Sequence, residues 1–417
     1  MTKTAMRKNR ILILLFFCWS VAVSGQTDSL TGDAFVRRDT LSVAERNALQ
    51  GFNDTIDRLA PDFVTVSLCV ADPTDYRDDA LGVSGHAFLR LQCPTFGLDY
   101  CFSYEGESVN DNLYRYLSGR TKMGMFAVHT DSYLEDYRKW NRSVHEYMLA
   151  LPPEAEQRLW EIMDNHITKG ITLRHDLNKY GCAITVVRYV KKALADIPII
   201  YAHDEEMERM TRREIAYRSL DSHPWLRLFS MVMTDSKADK SLPVDEKLII
   251  PADLAAVWQQ ASIKGAPMAT YVGDIVAGEQ PDDSKPWFTP IWAAVLLLLI
   301  TIGFAFTRYP YWEGLMIGVQ AIGGCVLVFL WFVMREFGES AYILMALFNP
   351  LPLLLWRWRV YWGLPYAILL LTGVVVLVCL PHMLIDPAIL VLTLSYVVIW
   401  GKDGIRNIVV KRKERAK

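Results

Sequence analysis

Five apolar segments crowd the last third of this 417-residue chain, and a fold surrounded by water has no interior large enough for all of them. They run from Pro290 to Phe306, Gly314 to Met334, Ala341 to Leu355, Gly363 to Leu380 and Pro387 to Trp400. A helix rises about 1.5 Å per residue, so roughly 20 residues cross the hydrocarbon of a bilayer, and fewer suffice where aromatic side chains anchor the ends. The third and fifth segments are short by that measure, and Trp356, Trp358 and Trp400 extend them into the interface. The expectation is an all-α bundle of five transmembrane helices over 287–401, followed by a basic tail at 402–417.

The other end of the chain carries Lys3, Arg7, Lys8 and Arg10, then the apolar run Ile11 to Phe17, then small residues ending Val23-Ser24-Gly25. That is the layout of a secretory signal peptide, 1–25. Phe17 is too large to precede a lipid-modified cysteine, so Cys18 is read as unlipidated. Export of 26–273 then fixes the side of every later loop. Loops expected inside hold Arg308, Arg357 and Arg359, and the tail holds Lys402, Arg406, Lys411, Arg412, Lys413, Arg415 and Lys417, whereas the outside loops hold only Arg335. This asymmetry obeys the positive-inside rule. The sequence therefore predicts a multi-pass protein of a bacterial cytoplasmic membrane, its N-terminal domain periplasmic and its C-terminus cytoplasmic. Arg335, Glu336, Glu339, His382 and Asp386 are each read as interfacial loop residues. A net charge of −2 without a basic stripe speaks against a nucleic-acid partner.

The exported half mixes element types, so an α+β domain is expected. Residues 41–58 have helical spacing, and Phe63 to Val70 reads as a buried strand rich in β-branched residues. A polar loop, Asp72 to Asp79, follows. Ser84 to Leu91 and Tyr100 to Glu105 then read as a hairpin around a turn at Pro94 to Gly97. Pro152-Pro153-Glu154 opens a helix with Leu159, Trp160, Ile162, Met163 and Ile167 on its apolar face. A second helix begins near Cys182 and runs through Val186, Val187 and Val190 to Leu194. His203 to Arg218, charged at most positions, is expected to be a solvated helix, and 274–286 is expected to be the linker into the membrane.

Four cysteines remain in the exported half: Cys69, Cys93, Cys101 and Cys182. Cysteines tend to pair in an oxidising compartment, and Cys93 and Cys101 flank the hairpin turn at an even separation that lets them face each other. Cys69 reads as a small buried hydrophobe. Cys182 differs because Tyr180-Gly181-Cys182-Ala183 puts the thiol where a loop becomes a helix. The partial positive charge and free N–H groups there favour the thiolate and an oxyanion, which makes Tyr180 and Gly181 candidate oxyanion or substrate contacts. The competing reading is a buried structural thiol. A nucleophile needs a base, and His86, at the start of a strand, is the best placed. The group orienting His86 is expected on the neighbouring strand. If Cys93 faces Cys101, Tyr104 shares the face of His86, whereas Glu105 has the more suitable chemistry. His129, His145, His166 and His175 lack metal-ligand spacing, so neither a metal nor a cofactor is expected.

Ser84-Gly85-His86-Ala87-Phe88-Leu89-Arg90-Leu91, Gly119-Arg120-Thr121-Lys122-Met123-Gly124-Met125, Tyr133-Leu134-Glu135-Asp136-Tyr137-Arg138 and Glu146-Tyr147-Met148-Leu149-Ala150-Leu151 occur in that order before the Cys182 helix. Over roughly 60 to 200 this series resembles the exported domain of Lnb-type lipoprotein N-acyltransferases. The membrane half, with Phe329-Leu330-Trp331-Phe332 and Asn349-Pro350-Leu351, is similar to Bacteroidetes members of that group. The resemblance implies a permuted papain-like fold, in which the histidine strand precedes the cysteine helix, as His86 precedes Cys182. It also implies an acyltransferase whose partners are lipidated lipoproteins and membrane lipid. An acyl chain would move from the lipoprotein's diacylglyceryl group, through a thioester on Cys182, to its N-terminal amine. One position departs from the pattern: Gly181 stands where the family commonly has Asn. The residues alone leave two alternatives, a papain-like cysteine hydrolase of the envelope and a catalytically silent binding module.

Overall fold

Strand-forming and helix-forming stretches alternate through the first half of the chain, and they assemble around one antiparallel sheet. The structure is a computed structural model that describes residues 64–74, 82–106, 114–115, 120–174, 181–233, 236–279, 286–305, 307, 310–333, 344–354, 358–379 and 385–415. The signal segment, the 41–58 helix, Tyr180, Arg335, Glu336, Glu339 and His382 lie outside the described residues.

In chain order the elements of the first half are β1 (Thr65–Ala71), β2 (His86–Cys93), β3 (Leu98–Gly106), β4 (Lys122–His129), α1 (Thr130–Lys139), β5 (Val144–Leu149), α2 (Pro153–Thr168), β6 (Thr172–Arg174) and α3 (Cys182–Leu194). There follow α4 (Glu205–Arg209), α5 (Arg212–Ser219), α6 (Pro224–Met233), α7 (Val244–Lys247), α8 (Pro251–Gln260), the short pair β7 (Ser262–Ile263) and β8 (Ala266–Pro267), and β9 (Ala269–Val276). Seven strands form the main sheet in the order β6-β4-β3-β2-β1-β5-β9. Its central strands are buried on both faces, which is why Val66 to Val70 is an unbroken apolar run apart from Ser67.

One face of the sheet packs on α2, α3 and α8 through Trp160, Met163, Val187, Val190 and Trp258. Trp160 meets Phe102 edge-on, with ring centroids 5.5 Å apart. The other face packs on α1, whose Tyr133, Leu134 and Tyr137 cover Cys69, Phe88 and Cys101. On this second face Arg90 donates to Asp99 from Nε at 2.8 Å and to Glu146 from Nη1 at 3.1 Å, so one guanidinium ties β2 to β3 and β5 across β1.

Two expectations are corrected here. His203 to Arg218 is two helices, not one solvated helix. The Thr211 hydroxyl and the Glu214 carboxylate form a capping box that starts α5 afresh. Arg212 and Arg213 are buried, and they pair with Glu246 at 2.8 Å and Asp239 at 2.5 Å. The expected linker also begins late, because 274–276 belongs to the edge strand β9.

That edge strand is tied down by His145, whose Nδ1 lies 2.6 Å from Asp274 and whose Nε2 lies 3.0 Å from Asp72. Burial disfavours the charged ring, but hydrogen bonds and charge from Asp274 and Asp72 outweigh it and raise its pKa above the ordinary 6.5. A raised folded value contributes stability that is fully present below the ordinary value and lost as pH rises through the folded one. The thermal stability of the wild type relative to His145→Asn is therefore expected to be larger near pH 6 than near pH 9, as read by melting curves of both proteins.

The membrane half contains α9 (Pro290–Ala305), α10 (Pro310–Val333), α11 (Leu351–Leu354), α12 (Arg359–Cys379) and α13 (Pro387–Arg415). Among the described residues three stretches are long and apolar enough to cross a membrane, Tyr311–Val333, Tyr361–Cys379 and Pro387–Arg406, and Pro290–Ala305 is a shorter apolar helix. These features are consistent with a multi-pass membrane protein. The expected third span is not one continuous helix. Residues 344–347 are helical, the chain breaks at Asn349-Pro350, and the four-residue α11 follows. Pro350 has no N–H and disfavours helical geometry at Asn349, whose Oδ1 instead accepts from Leu351 N at 3.1 Å. The basic tail continues α13 as helix as far as Arg415.

Asp386, expected to be an interfacial loop residue, immediately precedes α13 and is drawn into the fold. It is buried, caps α13 by accepting from Ala388 N at 2.9 Å, and takes the Tyr217 hydroxyl at 3.4 Å. Arg227 lies 3.7 Å from the same carboxylate, so α5 and α6 of the first half are held on the start of the apolar helix α13.

Candidate active site

His86 is the first residue of β2, a central strand, and the backbone ahead of it is tightly specified. Gly85 has φ +85, and a Cβ there would lie 2.7 Å from the Ala71 carbonyl oxygen, so only glycine fits. Cys182 is the first residue of α3, which is pinned to the sheet by Ala183, Val187 and Val190. Rigid elements thus deliver both side chains, and His86 is near enough to Cys182 to act on its thiol by charge and hydrogen bonding.

Behind His86, its Nε2 lies 2.8 Å from the Ser103 hydroxyl and 3.8 Å from the Glu105 carboxylate. Tyr133 of α1 donates to Glu105 at 2.7 Å and so holds that carboxylate in place. The series Cys182, His86 and Ser103 with Glu105 has the parts of a nucleophile, a base and an orienting group.

The charges agree with that assignment. Burial alone raises the Cys182 thiol, but the charge and hydrogen bond of His86, with the backbone N–H groups of Ala87 and Ala183, hold it below the ordinary 9.0. Burial likewise opposes protonation of His86, yet Cys182 and then Glu105 raise its pKa above 6.5, while Arg142 acts in the opposite sense. Both shifts move the pair in the direction of thiolate and imidazolium. The other cysteines of this half behave differently: burial raises Cys69 and pushes Cys101 up to about 12, beyond useful reactivity near neutral pH.

The hairpin register corrects two further expectations. Cys93 lies opposite Leu98, and Cys101 opposite Arg90, so the two cysteines do not face each other. Cys93 joins the core under α2 and α3, and Cys101 joins the opposite core under α1; neither is in a disulfide. The expected Cys93–Cys101 disulfide is therefore absent. The same register pairs Leu89 with Phe102, which continues to Phe88 beside Ser103 and His86 beside Glu105. Tyr104 is buried in the other core with Phe102 and is not the orienting group. Ser103 was invisible to the sequence reading because the assumed pairing put its neighbours on the wrong face. The signal was the turn itself, since strands ending at Cys93 and resuming at Leu98 set this register.

Gly181 is the N-cap of α3, with φ −88 and ψ 169, and no side chain caps the helix there. The first-turn N–H groups of α3 consequently have no capping competitor for an oxyanion. A Cβ at 181 would meet nothing within 4 Å, so there is space for the amide that the resembling family carries. Gly181→Asn is expected to fold normally and to leave the Cys182 alkylation rate within a few-fold of wild type, as measured with iodoacetamide. Tyr180, the other candidate contact, lies outside the described residues.

Comparison with family models, curated proteins and solved structures gave no match.

Proposed function

We propose that this chain is a thiol enzyme in which Cys182 is the nucleophile and His86 the base. Within that class we read it as a lipoprotein N-acyltransferase of the Lnb type, with a permuted papain-like catalytic domain. The observation that carries the reading is the hydrogen-bonded Cys182–His86 pair backed by Ser103 and Glu105. The apolar helices joined to it at Asp386 favour a substrate that is itself in a membrane.

In the first step the Cys182 thiolate attacks an ester carbonyl of the diacylglyceryl group. The ester C–O bond breaks, and the departing glycerol oxygen takes the proton held by His86, leaving a thioester on Cys182. In the second step the free α-amine of the lipidated cysteine attacks the thioester carbonyl. An amide forms, the C–S bond breaks, and the amine proton passes to His86, which restores the starting ion pair. The Ala87 and Ala183 N–H groups that now stabilise the thiolate, and the start of α3, provide positive potential beside the developing oxyanion. No metal or cofactor is needed for either step.

The proposal includes the topology: five membrane crossings, with α9 and the broken 344–354 segment as the two short ones, the catalytic domain outside and the basic end of α13 inside. The test is a strain lacking the protein, complemented with wild type or Cys182→Ala at equal level. Mass spectrometry of lipoprotein N-termini is expected to find N-acylation only with wild type. An unchanged pattern with Cys182→Ala contradicts the proposal.

A further inference from the structure

α6 is an unusual element for a domain surrounded by water. Its sequence, Pro224 to Met233, contains no acidic residue, and its single cation, Arg227, is turned inward onto Asp221 at 2.6 Å and over the Tyr217 ring at 4.3 Å. Leu228 packs on the membrane helices among Leu327, Leu330, Leu344 and Ile389. On the outer side, Trp225 and Phe229, one helical turn apart, are 47% and 49% exposed.

These two rings are not isolated. The Trp225 indole donates from Nε1 to the Phe288 carbonyl at 3.1 Å, and its ring lies 6.0 Å from that of Phe288. Trp287 stands beside Phe288 and is 89% exposed, and Trp292, in the first turn of α9, is 61% exposed. The result is a contiguous aromatic surface drawn from two parts of the chain about sixty residues apart, meeting where an apolar helix begins.

A patch of this kind marks an interaction surface, and its chemistry selects the partner. Tryptophan and phenylalanine at the end of an apolar helix belong at the boundary between headgroups and acyl chains, where an indole keeps its N–H bonded while the ring enters hydrocarbon. The surface is also continuous with the lipid-exposed side of α9, whose Leu296 and Leu299 are 51% and 61% exposed.

We propose that α6, together with 287–292, is a lipid-dipping collar: an interfacial helix of the first half that lies in the outer-leaflet boundary and sets the height of the catalytic domain on the membrane. It reaches the site by a short path, because α5 precedes α6 and its Ser219 hydroxyl lies 3.4 Å from that of Ser84, two residues before His86. The collar rests on the membrane reading of the C-terminal half and not on acyl transfer, so it stands even if the chemistry at Cys182 is different.

The test is site-specific photocrosslinking of the full chain reconstituted in phosphatidylethanolamine–phosphatidylglycerol vesicles. Phe229 or Trp287 is replaced by p-benzoylphenylalanine. Leu299 serves as the lipid-facing reference, and Trp140, 49% exposed at the C-terminal end of α1, as the aqueous one. Acyl-chain adducts at 229 and 287, as at 299 and unlike 140, are the expected result. The Cys182 alkylation rate of each variant verifies folding, and Trp287 is exposed enough to tolerate replacement even if 229 is not. Absence of lipid adducts at both positions, or crosslinks there to a second copy of the chain or to another protein instead, overturns the proposal.

Discussion

Replacing His86 by alanine is expected to reduce acyl transfer by roughly 10²–10⁴-fold, the range typical of a positioned general base. The cause is twofold. Without the imidazole the desolvation of Cys182 is no longer opposed, so its pKa rises and the thiolate fraction near neutral pH falls. The departing oxygen also loses its proton donor. The two effects separate experimentally: iodoacetamide alkylation of Cys182 reports the first, and product formation reports both. The wild-type alkylation profile is expected to inflect below the ordinary thiol value of 9.0, and that of His86→Ala at a higher pH than wild type. Ser103→Ala, which leaves the base but frees its Nε2, is expected to cause a smaller loss. Equal profiles for wild type and His86→Ala would mean that the ring does not activate the thiol.

Arg90→Met is expected to weaken the sheet by about 3–5 kcal/mol, the cost of leaving a buried charge without its partner. Glu146 is buried, and both of its oxygens accept from the Arg90 guanidinium at 3.1 Å. Methionine keeps much of the volume of the arginine stem, so the loss is electrostatic and not a cavity. Hydrogen exchange of the β1–β3 amides measures it as a fall in protection. The double variant Arg90→Met with Glu146→Gln is expected to recover part of the loss, since it removes the stranded carboxylate. A double variant no better than the single one would attribute the effect to packing.

The elements that place the site were legible in the sequence where local chemistry is strong. The β-branched run of β1, the paired prolines before α2 and the apolar periodicity of α3 each left one option, and they give the order of histidine strand before cysteine helix. Pairing was harder to read, because an even spacing of Cys93 and Cys101 says nothing about which residues oppose one another. The turn at Pro94–Gly97 sets the register, which puts Glu105 and not Tyr104, of the two candidates, on the face of His86 and brings Ser103 beside it. Long-range partners were not legible at all. Arg212, Arg213 and Asp386 look solvent-bound in sequence, and they are buried because Glu246, Asp239 and Tyr217 arrive from elsewhere in the chain. The break within the third apolar segment was not legible either, since Pro350 interrupts that stretch without changing its hydropathy.

The most direct measurement is the identity of the group carried by Cys182 during turnover. Full-length protein in membranes containing diacylglyceryl-modified lipoprotein is quenched in acid and digested, and the Cys182 peptide is examined by mass spectrometry before and after hydroxylamine. A fatty-acyl mass that hydroxylamine removes, present in wild type and absent from His86→Ala, is the predicted result. A peptide adduct on Cys182, or a Cys182 that stays unmodified while lipoproteins are still N-acylated, would contradict the account.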